Sequence, residues 1–276
     1  MPDNPTPHGA PAIALPDHQV LALSGPDAAA FAQAQFMNDV SALGDGDWQW
    51  NGWLTPKGRL VALFALLRID AGTFWLLLPD HPADTLAEAL RRYVFRSKVK
   101  LEARTDLHVS GHGDVASEPD VRRFDTDAAD GLSLAWPGSR RIDITPTAAA
   151  APDSDAQLRW READLRAGIP RLVPGQSSQW TPQQLSLERL QAFSVKKGCY
   201  PGQEIVARTH FLGQAKRGLV LLEAASPLAP GAEISDGQRA IGQVIAVAGH
   251  LAQGVASAET PLEAGGVPVK ALDLAG

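Results

Sequence analysis

Three apolar runs, Trp48 to Trp53, Leu60 to Ile69 and Thr73 to Leu78, follow one another with only the turns at Pro56-Lys57-Gly58 and Ala71-Gly72 between them. Links this short, each holding a glycine, predict strands joined as a meander, with the tryptophans in its core. A strand from Ile13 to Leu23 precedes the meander. It is followed by a helix over Ala28 through Phe36 that ends near Asn38, where Ser24-Gly25-Pro26-Asp27 has capping-box spacing with proline early in the helix. After the meander, His81-Pro82 opens a second helix. Its Leu86, Leu90, Tyr93 and Val94 form one stripe toward the sheet, while Glu88 and Arg92 pair on the outside. The order strand, helix, strands, helix, strand predicts an α+β fold rather than a doubly wound parallel sheet.

Short strands are expected at Val99 to Leu101 and Leu107 to Val109, then an acidic, irregular stretch from Gly111 to Asp130. His108 and His112 have the offset of two metal ligands on a helix, but Gly111 and Gly113 break any helix there, so no metal site is expected. Leu132 to Trp136 and Arg141 to Ile144 read as a strand pair, and Thr145 to Asp155 as a low-complexity linker. Trp160 to Ala167 reads as a helix closed by Gly168 and Pro170. Thr181-Pro182-Gln183-Gln184 is a second capping box, opening a helix buried through Leu185, Leu187, Leu190 and Phe193. Beyond Gly218 three apolar runs, Leu219 to Leu222, Ile241 to Ala248 and Val267 to Leu272, suit a small β-barrel or sandwich. The expected organisation is a disordered tail over 1–12, a body over 13–217 with the linker near 145–157, and a C-terminal β-barrel over 218–276.

A length of 276 residues suggests about two domains, and 45% apolar content suffices for ordinary cores. There is no run of eighteen apolar residues, and Met1 to Pro16 has neither a basic nor an apolar leader segment, so a cytoplasmic protein without membrane contact is expected. The single cysteine excludes an internal disulfide, fits a reducing compartment, and cannot alone hold an iron–sulfur cluster. A net charge of −6 argues against general coating of nucleic acid. Two basic clusters stand out against it. One comprises Lys196, Lys197, Arg208, Lys216 and Arg217 against Glu204, and the other runs from Arg91 to Arg104 with only Glu102 opposing. Each is either a solvated face or a surface for an anionic ligand such as a folate polyglutamate tail or a phosphate backbone.

The densest chemistry lies in Lys196-Lys197-Gly198-Cys199-Tyr200-Pro201-Gly202-Gln203-Glu204. A free cysteine usually packs as a small hydrophobe. This one sits beside two lysines and a Pro-Gly turn, and a neighbouring ammonium favours the reactive thiolate, which assigns Lys197 as the cation of Cys199. Lys-Gly-Cys-Tyr-x-Gly-Gln-Glu, followed by Ile205-Val206-Ala207-Arg208, resembles the signature of the YgfZ family, folate-binding proteins related to the glycine-cleavage aminomethyltransferases. The likeness extends, in order, through Phe31 to Val40, Pro56-Lys57-Gly58-Arg59, Tyr93 to Val99, Trp160-Arg161-Glu162 and Gly168-Ile169-Pro170.

The resemblance implies an aminomethyltransferase-like folate-binding body of two intertwined subdomains plus a small C-terminal β-barrel. It makes Cys199 the functional thiol with Lys197 as its cation, Glu204 a partner for the pterin ring, Trp160 an aromatic wall of a tetrahydrofolate pocket, and Tyr200, Gln203 and Arg208 further folate contacts. Val61 and Ala62 stand where the transferases carry aspartates that work on the reacting methylene. Neither ionises, so folate binding without glycine cleavage is expected. The implied function is support of iron–sulfur cluster assembly or repair and thereby of tRNA modification, with assembly proteins or cluster enzymes as partners. Cys199 would be a redox thiol, a transient cluster ligand or a nucleophile. The alternatives are a folate-dependent aminomethyl or methyl transferase and a non-catalytic folate sensor that docks an acidic partner or RNA.

Overall fold

The computed structural model describes residues 11–113, 122–127, 131–148, 150–213, 215–257 and 260–274. The tail expected over 1–12 lies outside the described residues up to residue 10, as does most of the irregular stretch ending at Asp130. The elements in order are β1 (Ile13–Ala14), β2 (Gln19–Ser24), α1 (Ala28–Gln35), β3 (Trp48–Leu54), β4 (Leu60–Asp70), β5 (Thr73–Leu78), α2 (Ala83–Arg91), β6 (Lys100–Ala103) and β7 (His108–His112). Then come β8 (Phe124–Asp127), β9 (Gly131–Trp136), β10 (Arg140–Thr145), α3 (Ser154–Arg166) and α4 (Gln203–Leu212). The chain closes with β11 (Arg217–Ala224), β12 (Glu233–Ser235), β13 (Ala240–Ala248), β14 (Leu251–Ser257), β15 (Glu263–Ala264) and β16 (Val267–Leu272).

The meander forms as expected and lies in a sheet of order β3-β4-β5-β2-β6. A second sheet has the order β1-β7-β10-β9-β8, and the last six strands close a barrel, β11-β14-β13-β12-β15-β16. The first sheet is covered on both sides, so Leu63 to Leu67 are all buried. One side packs Phe64, Leu66, Phe74 and Leu76 under α1 and α2, while Leu63, Leu67 and Leu77 join Trp48, Trp50 and Trp136 in the core shared with the second sheet and the barrel. A bulge sets this phase: Trp53 pairs with Ala62 and Leu54 with Leu60, which leaves Val61 with no residue opposite it in β3.

Several expectations change. The strand placed at Ile13 to Leu23 is two strands in different sheets, because the chain turns at Leu15 to His18. The capping box at Ser24 is not made, because the N-cap Asp27 uses its carboxylate to accept from the Lys98 amide. Glu88 and Arg92 form no ion pair among the described residues. The helix expected at Trp160 starts at Ser154, capped by Asp153, so the linker ends sooner. The second capping box does form, between Thr181 and Gln184. No regular helix follows it, because Ser186 at φ 50° and Gln191 at φ 51° break the chain into turns. The helix α4, by contrast, was not foreseen.

Candidate functional site

The bulge that frees Val61 borders a hollow. Val61 and Ala62 form one wall of a 360 Å³ cavity with Leu63, Asp80, Leu172 and Val173, and the unpaired Val61 carbonyl accepts from Ser177 Oγ. A neighbouring 300 Å³ cavity shares Asp80, His81, Pro82, Leu172, Val173 and Pro174 and is walled by Arg161 and by Pro230, Ala246 and Val247 of the barrel. The two form a cleft between the body and the barrel. Ligand sites of roughly 300–1,000 Å³, mostly apolar with a few polar groups, are the usual form of small-molecule pockets.

A buried ionic network stiffens the cleft. Arg171, 5% exposed, donates from Nε to both oxygens of Asp80 at 2.9 Å, from Nη1 to Asp164 Oδ2 at 2.6 Å, and from Nη2 to Asp17 Oδ2 at 2.8 Å and the Pro79 carbonyl. Asp164, fully buried, also meets Arg140 at 2.8 Å and the Trp136 indole. Asp17 in turn holds His18 and Arg161. Burial opposes the Arg171 charge, but three carboxylates outweigh it and raise its pKa above the usual arginine value. Asp17 is also half-buried, yet His18, Arg171 and Arg161 hold its carboxyl far below the usual range. Burial lifts the Asp80 carboxyl against the pull of Arg171. The network joins segments from β1–β2, the β5–α2 turn, α3 and the chain after Pro170, so it fixes the cleft walls relative to one another.

The cysteine loop lies against the turn that leads into the bulged strand. Gly202 has φ +80° and caps α4, and a Cβ there would come within 2.7 Å of Gly58 Cα and of the Thr55 carbonyl. Gly202 and the Pro56-Lys57-Gly58 turn are therefore in backbone contact, and from Gly58 to Val61 is at most about 11 Å of extended chain. Cys199 is exposed and makes no hydrogen bond among the described residues. Lys197 is 6% exposed, and its Nζ donates to the carbonyls of Gln33, Phe36 and Asn38 at 2.6, 2.7 and 2.9 Å. Its three donors thus fasten the loop to the end of α1 instead of reaching the thiol, and burial draws its pKa down to about 8. The buried Tyr200 ring lies 5.2 Å from that ammonium, and burial pushes its hydroxyl up to about 12.

No protein-family model matches the chain. An uncharacterized protein of Haemophilus influenzae is 29% identical over 212 residues, which span 76% of this chain and 72% of that one. The tRNA-modifying protein YgfZ of Klebsiella pneumoniae is 32% identical over 261 residues, 85% of this chain and 80% of the relative. The chain belongs to the YgfZ family. The YgfZ of Serratia proteamaculans extends the likeness to 270 residues at 30% identity, covering 88% and 81%. In fold, this YgfZ-family chain superposes on the glycine cleavage system aminomethyltransferase T from Bartonella henselae with a TM-score of 0.71, over 96% of this chain and 85% of that one, at 15% identity. The aminomethyltransferase-like α+β body with its closed C-terminal barrel is therefore the architecture of this chain.

The residues singled out in the YgfZ signature divide by exposure. Glu204, in the first turn of α4, and Arg208 are exposed, whereas Gln203 turns back to donate to the Lys197 carbonyl. Trp160 is 2% exposed, packed against Gly111 with the Arg140 guanidinium 4.4 Å from its ring, and lines neither cavity of the cleft. Sequence reasoning missed Asp80, Arg171, Asp17 and Asp164. The available signal was a charge set alone among apolar neighbours, as in Leu78-Pro79-Asp80 and Pro170-Arg171-Leu172.

Proposed function

We propose that the cleft binds tetrahydrofolate or a folate derivative, and that Cys199 is the functional thiol of a protein supporting iron–sulfur cluster assembly or repair and, through cluster enzymes, tRNA modification. The observation that carries this is that the signature loop and the cavity meet at one end of the bulged strand, where the loop is seated on Gly58 and Val61 and Ala62, a few residues on, form the cavity wall. The cavity fits the head of a folate. Its apolar walls suit the flat ring system, and the Asp80 carboxylate, 23% exposed, is an acceptor for a pterin amino group and ring N–H. The neighbouring cavity leads from there to the half-exposed Arg161, the cation at its wall, which would have to leave Asp17 to meet a glutamate tail.

The names of the relatives support the tRNA part, and the fold of a folate-using enzyme class supports the ligand. A division into a body over 13–217 and a barrel over 218–276 agrees with a ligand held between the two. Exposed Glu204 and Arg208 on α4 remain free to meet a protruding ligand, Tyr200 and Gln203 brace the loop that carries the thiol, and Trp160, which lines neither cavity, supports the fold and not the pocket wall. A lone exposed thiol stays free in a reducing compartment such as the cytoplasm.

The transferase alternative requires a carboxylate to handle a proton, and Asp80 is the one that lines the cavity. Both of its oxygens accept from Arg171, so it is better suited to orient a ligand than to exchange protons with one. Replacing Cys199 by serine is expected to change stability by no more than about 0.5 kcal/mol, because the side chain is exposed. In cells lacking their own copy, the same variant should fail to restore cluster-dependent tRNA modification. Undiminished complementation by Cys199→Ser would refute the role of the thiol.

A further inference from the structure

The end of α2 and the chain that leaves it form a surface that the folate reading does not use. Phe95 is 89% exposed and Tyr93 43%, and Phe95 sits at φ 34°, a strained conformation for a ring-bearing residue that brings no burial in return. Around them Arg92, Arg96 and Lys98 are exposed and form no ion pair among the described residues. Arg96 lies 5.5 Å from the Phe95 ring. In a chain of net charge −6 this is a cationic, aromatic patch whose cations have no carboxylate partner among the described residues.

Its position ties it to the signature loop. Tyr93 packs edge-on to Trp53 at 5.7 Å, Trp53 bridges to Phe36, and the Phe36 carbonyl holds the Lys197 ammonium. The patch and the cysteine loop thus stand on either side of one Phe36–Trp53 pair.

We propose that this surface docks an unpaired segment of RNA, with a base stacked on Phe95 and its phosphates against Arg92, Arg96 and Lys98. The proposal deepens the tRNA part of the function above and rests on it for the choice of RNA. The chemistry favours a single strand on two counts. An exposed ring takes an unstacked base, which a duplex does not offer, and free cations along one chain segment suit a backbone of phosphates. An acidic peptide would use the cations alone and leave the ring and its strained backbone unexplained.

The test is fluorescence anisotropy on the full chain with three probes: a labelled single-stranded RNA of about 12 nucleotides, the duplex of the same length, and a polyglutamate peptide. The single strand should bind best at low salt, Phe95→Ala should weaken it about tenfold, and the triple replacement of Arg92, Arg96 and Lys98 by serine should reduce the salt slope by about 2. Equal binding of strand and duplex, peptide binding that competes with RNA and ignores Phe95→Ala, or variants indistinguishable from the parent would each overturn the proposal. Tetrahydrofolate titration of the same preparations separates the two claims. Folate binding without RNA binding removes this surface and leaves the cleft, and RNA binding without folate binding does the converse.

Discussion

Arg171→Leu is expected to lose about 3–5 kcal/mol of folding stability, which for a chain of this size lowers the thermal midpoint by roughly 10 °C. Arg171 satisfies Asp80, Asp164 and Asp17 together, and Asp164 is wholly buried. Without the guanidinium these carboxylates face one another across the cleft with Arg140 and Arg161 as their remaining cations. The loss should therefore exceed that of deleting a similar volume of apolar core. Arg171→Lys should fall between, because an ammonium keeps the charge but cannot direct donors in a planar fork at three acids. A midpoint within about 2 °C of the parent for Arg171→Leu would mean that the network holds nothing together.

Gly202→Ala should be the other large effect, and its neighbour in the signature supplies the control. At φ +80° an L side chain costs about 1–2 kcal/mol in the backbone. The new Cβ would also meet Gly58 Cα, Gly58 N and the Thr55 carbonyl, all backbone and unable to move aside cheaply, adding about 1–3 kcal/mol. Gly198→Ala meets nothing within 4 Å and has no positive φ, so it should shift stability by less than about 0.5 kcal/mol. Urea unfolding of the pair gives the comparison, and equal midpoints would show that the cysteine loop is not seated on the turn before β4.

How far the sequence reached follows local rules. The meander was legible because its runs are long, apolar and separated by glycine turns, and both of its faces are buried. The turns after Thr181 carry the sequence signal of a helix because the capping box is real and forms. What ends it is tertiary: Ser186 adopts a left-handed conformation, and its hydroxyl accepts the Leu219 amide at the start of the barrel. The helix α4 escaped notice because it follows a Pro-Gly turn, mixes β-branched residues, and buries only Val206 fully. Adjacency in sequence points Lys197 at the thiol, whereas its long side chain reaches carbonyls more than 150 positions earlier in the chain. The cleft was out of reach altogether, because Val61, Asp80, Arg171 and Val173 come from separate segments that only the fold brings together.

The central claim is that the cleft beside the bulged strand takes folate. Val173 lines both of its cavities and is 38% exposed, so Val173→Trp can fill the space with little effect on the core. Calorimetric titration with tetrahydrofolate is predicted to show binding to the parent, the same binding to Cys199→Ser, and at least about tenfold weaker binding to Val173→Trp. Absence of binding to the parent, or binding to Val173→Trp as tight as to the parent, would contradict it.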